Sequence, residues 1–237
     1  MDGRRAGCLK AICSTAILGA GAALAWGVRG RSSALFAPSV YRGRRDRPAI
    51  ALTFDDGPSE STPVLLELLA RYSVPATFFQ CGLNAARLPR VAREVALAGH
   101  EVGNHSHTHR LFPCLTPAEV REDLARAQRA IEDATGVTPR LFRAPYGARW
   151  FGLRRAQREL GLLGVMWTSI ALDWKLPSAA ITRRILRAAS NGAILCLHDG
   201  RELRIDPDIR NTATALRGAI PALAARGFCF ETVSNIL

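Results

Sequence analysis

Three of the chain's five histidines, His105, His107 and His109, fall within the run GNHSHTHR. Neutral imidazole is the commonest protein ligand of zinc. On a helical turn, residues four apart converge on one ion, which selects His105 and His109. On an extended strand all three would share a face and an HxH pair could bind, so spacing alone leaves the pair open. Upstream, TFDDGP sets Asp55 beside Asp56. Two adjacent carboxylates raise each other's cost of ionising unless a cation neutralises one of them. A carboxylate added to two histidines makes a three-ligand zinc site with a position left for water, and its neighbour could then be the base that deprotonates that water. Taken alone, Asp-Gly-Pro is also an ordinary turn.

Further clusters carry partners for such a site. Arg143 in RAPYG is a rigid, always-charged fork suited to holding a carboxylate in place. Asp173 stands beside Trp174 in LDWK, and His198 lies in LHDG. Opposite a metal and near an aspartate, His198 could act as a general acid.

These clusters follow short apolar runs rich in β-branched or aromatic residues, which predict strands at 49–54, 76–81, 100–105, 140–145, 164–171, 193–199 and 228–233. Amphipathic helices are expected near 62–72, 87–98, 150–160, 178–190 and 209–226. The best-marked one starts at Thr116, with Pro117 in the first helical position and Glu119 completing a capping box, and ends at Gly136. Strand–helix alternation with wholly apolar strands predicts an α/β fold whose parallel sheet is closed or nearly closed into a barrel, with a doubly wound open sheet as the rival. The polar clusters fall at the C-terminal ends of strands, the face on which such barrels build active sites.

The net charge of +12 is unevenly distributed. Residues 1–47 hold nine Arg/Lys against Asp2 and Asp46, a net of +7, and the rest of the chain has no long basic run. That pattern fits a membrane surface or an anionic wall polymer better than a nucleic acid. Arg4, Arg5 and Lys10 precede an apolar run over 11–28 containing Ala23-Leu24-Ala25. Residues 1–31 are therefore expected to be a signal peptide or an N-terminal membrane anchor, and 32–47 a basic linker before a catalytic domain over 48–237. The six cysteines form no CxxC pair, which disfavours zinc-ribbon or redox chemistry; Cys196 and Cys229 read as small buried apolar residues.

Taken in order, TFDD, HSHTH, RAPYG, LDWK and LCLHD resemble the motifs of the polysaccharide deacetylase family, carbohydrate esterase family 4, whose shared unit is the NodB-homology domain. The resemblance covers about 48–237 and implies a distorted (β/α) barrel of about seven parallel strands. It implies Asp55 as general base, Asp56, His105 and His109 as metal ligands, and His107 as a bystander beside a loop-supporting Ser106. It further implies that Arg143 orients Asp55, Tyr146 offers a backbone N–H to the oxyanion, and Asp173 partners His198, which protonates the leaving amine. Trp174 would wall the substrate groove. The family's acetyl-pocket leucine is replaced by Cys196, and no acidic residue precedes Asp173 in WTSIALDW. The implied activity is metal-dependent hydrolytic N-deacetylation of an N-acetylhexosamine glycan, peptidoglycan or chitin-like, with Zn2+ or another divalent metal such as Co2+. An O-acetyl esterase of xylan type, a lipid-linked sugar deformylase and a non-catalytic wall-binding protein are the alternatives. The expected setting is an extracytoplasmic monomer, secreted or membrane-anchored, with a glycan as partner and no nucleic acid.

Overall fold

The computed structural model describes residue 19 and residues 21–237. A helix α1 over 21–29 leads into β1 (Ser39–Val40), β2 (Ala49–Asp55), α2 (Thr62–Arg71), β3 (Thr77–Gln80), α3 (Gly82–Arg87), α4 (Pro89–Leu97) and β4 (Glu101–Asn104). Then follow α5 (Pro117–Thr135), β5 (Leu141–Phe142), α6 (Leu153–Leu160), β6 (Leu163–Val165), β7 (Ser169–Ile170), α7 (Ser178–Ala188), β8 (Ala193–His198), α8 (Arg210–Ala225), β9 (Cys229–Phe230) and α9 (Val233–Ile236).

The strands pair in the order β1-β6-β5-β4-β3-β2-β8-β7, all parallel, with β9 on β2. β2 is the axis of this sheet: all seven of its residues are buried, as a strand covered on both faces requires. The expected strand over 164–171 is split. β6 pairs with β5 and β7 with β8, at opposite ends of the path, yet only Met166–Thr168 separate them. Four residue steps reach at most about 14 Å, so the sheet has to curl until its ends almost meet. That is the expected barrel, closed by chain rather than by a ladder.

The helices follow their sequence signals. At α5 the Thr116 side chain accepts from the Glu119 N–H, the Glu119 carboxylate accepts from the Thr116 N–H, and Gly136 ends the helix in the left-handed region at φ 74°. α3 and α9 were not expected, being too short to show a period.

The stretch 32–47 departs from the expected linker. β1 pairs with β6, Phe36 is buried and packs on Trp150 with ring centroids 4.9 Å apart, and Arg47 forks onto Glu231. Gly43 and Arg44 donate backbone hydrogen bonds to the carbonyls of Gly192 and Ile236, both at 2.8 Å. Arginines at the surface masked the apolar residues between them. Burial of a side chain such as Phe36 contributes about 1.5–3 kcal/mol. Truncation at Pro48 is therefore expected to lower the unfolding free energy by at least that amount, seen as a lower Tm than the full chain; equal Tm values would return this segment to the status of linker. Cys229 is exposed rather than buried, and Cys81, Cys114, Cys196 and Cys229 are all free thiols.

No helix among the described residues is long and apolar enough to cross a membrane. The expected leader lies largely outside the described residues.

Candidate active site

β2 delivers both aspartates and then turns sharply. Asp56 has φ 72°, and Ser106, His109 and Tyr146 also have positive φ, at 67°, 51° and 57°. Such conformations cost non-glycine residues about 1–2 kcal/mol each, and their clustering marks a site that the surrounding structure holds in place. Glycine is required at two close approaches here. A Cβ on Gly57 would lie 2.1 Å from Asp199 Oδ2, and one on Gly200 would lie 2.2 Å from the Asp56 carbonyl oxygen.

The turn sends the two carboxylates apart. Asp55 Oδ1 accepts from Arg143 at 2.6 Å, and its Oδ2 lies 3.4 Å from the Cys196 sulfur. Arg143 is fully buried; it also donates to Thr53 Oγ1 at 2.8 Å and to the Val165 and Met166 carbonyls at 3.3 Å, with its guanidinium 4.1 Å from the Phe79 ring centroid. The buried cation is thus held by a carboxylate, a hydroxyl and two carbonyls from different elements of the barrel.

Asp56 turns the other way. Its Oδ1 is 3.2 Å from His105 Nε2 and 3.0 Å from His109 Nε2, and its Oδ2 accepts from the Glu202 N–H at 2.8 Å. Burial alone would raise this carboxyl's pKa; positive charge at the facing Nε2 atoms of His105 and His109 more than reverses that and holds it well below the ordinary range.

The histidine loop is braced from behind. Asn104 Oδ1 accepts from the Ser106 N–H at 2.8 Å, Ser106 Oγ from the His109 N–H at 3.0 Å, and Asp123 from the His107 and Thr108 N–H groups at 2.9 and 3.2 Å. His107 Nε2 lies 3.2 Å from Arg126, so this ring faces α5 and not Asp56. Of the alternatives the spacing allowed, the fold brings together His105 and His109.

The donor set fits a metal ion. His105 Nδ1 lies 2.9 Å from the Arg143 carbonyl, which can only accept, so Nδ1 carries the proton and the neutral ring presents a bare Nε2 to Asp56. Two acceptors facing each other at 3.2 Å repel unless a positive charge stands among them. Asp56, His105 and His109 offer ligand atoms all within 4.8 Å of one another, as one dication requires.

Across the cavity, Asp173 Oδ1 lies 2.8 Å from His198 Nδ1, and its Oδ2 accepts from the His198 N–H at 2.8 Å and Thr212 Oγ1 at 2.9 Å. That leaves His198 Nε2 for the cavity, with the Trp174 ring set edge-on at 4.8 Å. Burial pulls the imidazolium down, but Asp173 outweighs it and raises the His198 pKa to about 9. The ring is thus charged at neutral pH; any stability it contributes is present below its ordinary 6.5 and is lost as pH rises through about 9. In Asp173→Asn the raising partner goes while burial stays. The alkaline limb of the rate profile is then expected to move from about 9 to below 7; an unmoved limb would separate His198 from the acid role.

One cavity of about 420 Å³ joins these groups, lined by Asp55, Asp56, His105, His109, Tyr146, Trp174 and His198, with Trp167 and Ile170 as apolar wall. Cys196 was expected on that wall. It is 1% exposed and lies beneath Asp55, where burial first and then the Asp55 charge push its thiol pKa well up, leaving an S–H to donate to Asp55 Oδ2. Strand alternation aims both His198 and Cys196 inward, but two residues further down the strand is one layer deeper. Sequence reading missed Trp167, Ile170, Arg201, Glu202, Asp123 and Arg29. Of these, Arg201 and Glu202, three and four residues past His198, had a signal available in their closeness to a motif.

The family model for polysaccharide deacetylase matches residues 42–165. The chain belongs to that family. It is 40% identical over 189 residues to a chitooligosaccharide deacetylase of Bradyrhizobium sp., covering 76% of this chain and 86% of that one. It is 34% identical over 206 residues to a peptidoglycan-N-acetylglucosamine deacetylase of Listeria monocytogenes, covering 86% of this chain but spanning only 42% of that relative's length. Among solved structures, the Bc1960 peptidoglycan N-acetylglucosamine deacetylase superposes with a TM-score of 0.78 at 28% identity, covering 83% of this chain and 91% of that one. A family pseudoenzyme from Bacillus anthracis, BA3943, is nearly as similar, at a TM-score of 0.77 and 29% identity, covering 85% of this chain and 70% of that one. Family and fold therefore do not by themselves decide activity; the residues in the cavity do.

Proposed function

We propose that this chain is a zinc-dependent hydrolase that removes acetyl groups from N-acetylhexosamine residues of a wall glycan, peptidoglycan or chitin-like, and releases acetate. The observation that carries the reading is the divergence of Asp55 and Asp56: one carboxylate is held by Arg143, the other faces two imidazole nitrogens. One oxygen and two imidazole nitrogens suit zinc, with cobalt as an alternative. When bound by Asp56, His105 and His109, the ion supplies Lewis acidity toward water and the acetamide carbonyl.

The remaining steps belong to the chain's own side chains. Asp55 takes a proton from the attacking water, and Arg143 keeps that carboxylate aimed. The developing oxyanion needs a donor. Within the helical turn Pro145–Gly147, Pro145 has no N–H and the Gly147 N–H is spent on the Ala144 carbonyl at 2.9 Å, which leaves the backbone N–H of Tyr146. His198, charged at neutral pH and sharing one end of the cavity with Asp55, donates from Nε2 to the departing nitrogen. Trp174, 41% exposed, and Tyr146, 47% exposed, offer faces on which a sugar ring can stack. The protein acts outside the cytoplasm, secreted or anchored through its N-terminal segment, as a monomer.

The test is product release by the metal-loaded full chain from an N-acetylglucosamine oligomer, an O-acetylated xylan and a formylated lipid-linked sugar. Acetate from the first, in excess over the others, is the expected result. Preferential ester cleavage or formate release would replace this reading with one of the alternatives.

A further inference from the structure

Two cations on the cavity wall have no part in the chemistry above. Arg29 comes from the end of α1 and Arg201 from the loop after β8, and both line the same cavity as the aspartates and His198. Neither guanidinium makes a hydrogen bond, or has a carboxylate within 4 Å, among the described residues, although the cavity's own aspartates are engaged by Arg143 and the histidines.

Their backbones are not free to drift. Val28 accepts from the Arg149 N–H at 3.0 Å, and the buried Arg149 guanidinium donates to the carbonyls of Gly30 and Ser33, so Arg29 stands between two tethered residues. Next along, the Arg31 guanidinium donates to the Thr168 carbonyl. Arg201 stands between Gly200, whose N–H donates to the Asp55 carbonyl at 3.3 Å, and Glu202, whose N–H donates to Asp56. Two five-donor forks without a partner among the described residues, on tethered backbone and lining the same cavity as the aspartates, are suited to accept negative charge on the neighbours of a bound sugar.

We infer that Arg29 and Arg201 form an anionic subsite that selects glycans bearing carboxylates beside the N-acetylated sugar, such as a lactyl ether acid or the acidic peptide attached to one, over uncharged N-acetylglucosamine polymers. This rests on the deacetylase reading above and narrows its substrate class. A neutral polymer leaves both guanidinium groups without a partner among the described residues.

The experiment compares three oligomers of equal length with the metal-loaded full chain: N-acetylglucosamine alone, the same alternating with its 3-O-lactyl acid, and that acid converted to its neutral carboxamide. The lactyl acid is expected to exceed its carboxamide in kcat/KM by about tenfold per arginine, carried in KM, as charge-assisted hydrogen bonds are worth. Added salt should erode that advantage, because the groups are near solvent. In the Arg29→Gln/Arg201→Gln double variant the acid-to-carboxamide ratio should fall toward one. Equal use of acid and carboxamide by the unaltered chain, or a ratio that survives in the double variant, would overturn the subsite while leaving the deacetylase reading intact. Acetate from none of the three would overturn the reading beneath it.

Discussion

Asp55→Asn is expected to reduce kcat on an N-acetylglucosamine oligomer by about 10²–10⁴-fold, the usual worth of a positioned general base, while bound metal stays at the level of the unaltered chain. Asparagine keeps an oxygen for Arg143 to meet but has no basic oxygen for the water proton. Arg143 is fully buried and loses its charged partner, so some loss of Tm is also expected. Metal content measured on the folded variant separates the two effects. Turnover at the ordinary rate would remove Asp55 from the base role, whereas loss of metal would show that both aspartates are ligands.

His105→Ala should give the converse result. The ring holds a proton on Nδ1 for the Arg143 carbonyl and turns Nε2 toward Asp56, so its removal is expected to delete a metal contact and leaves Asp56 facing one imidazole. Loss of partners that merely orient a ligand costs about 10–100-fold in metal affinity, and loss of the ligand itself is expected to exceed that. Equilibrium dialysis against zinc would read it directly. His107→Ala is the matched control: its Nε2 contacts Arg126, so metal affinity should stay within a few-fold of the unaltered chain. Equal losses in the two variants would show that the fold does not choose between the histidines in this way.

The sequence carried more of the site than of the scaffold's edges. Asp55, Asp56, His105, His109, Arg143, Asp173 and His198 come together in the structure because each follows a strand, and parallel strands place all such ends on one face of the barrel. Which histidines pair was not readable from spacing. The choice depends on positive φ at Ser106 and His109 and on Asp123, sixteen residues beyond His107 and on a different element. The depth of Cys196 was hidden for a related reason. Alternation gives the side of a strand on which a residue lies, but not the layer of a closing barrel that it reaches. β1 was missed because Ser39–Val40 is only two residues long and lies among arginines, and a strand of that length is defined by its partner β6. Arg29 was missed because basic residues beside an apolar run read first as a leader signal, whatever cavity they later meet.

The most direct test of the central claim, hydrolysis of an N-acetyl group by water that Asp55 deprotonates, is mass spectrometry of both products after turnover in heavy-oxygen water. The account predicts a glycan lighter by one acetyl group per cleaved residue, with a free amine and no heavy oxygen in it, and acetate carrying one heavy oxygen from solvent. A glycan of unchanged mass, or acetate without solvent oxygen, would contradict it.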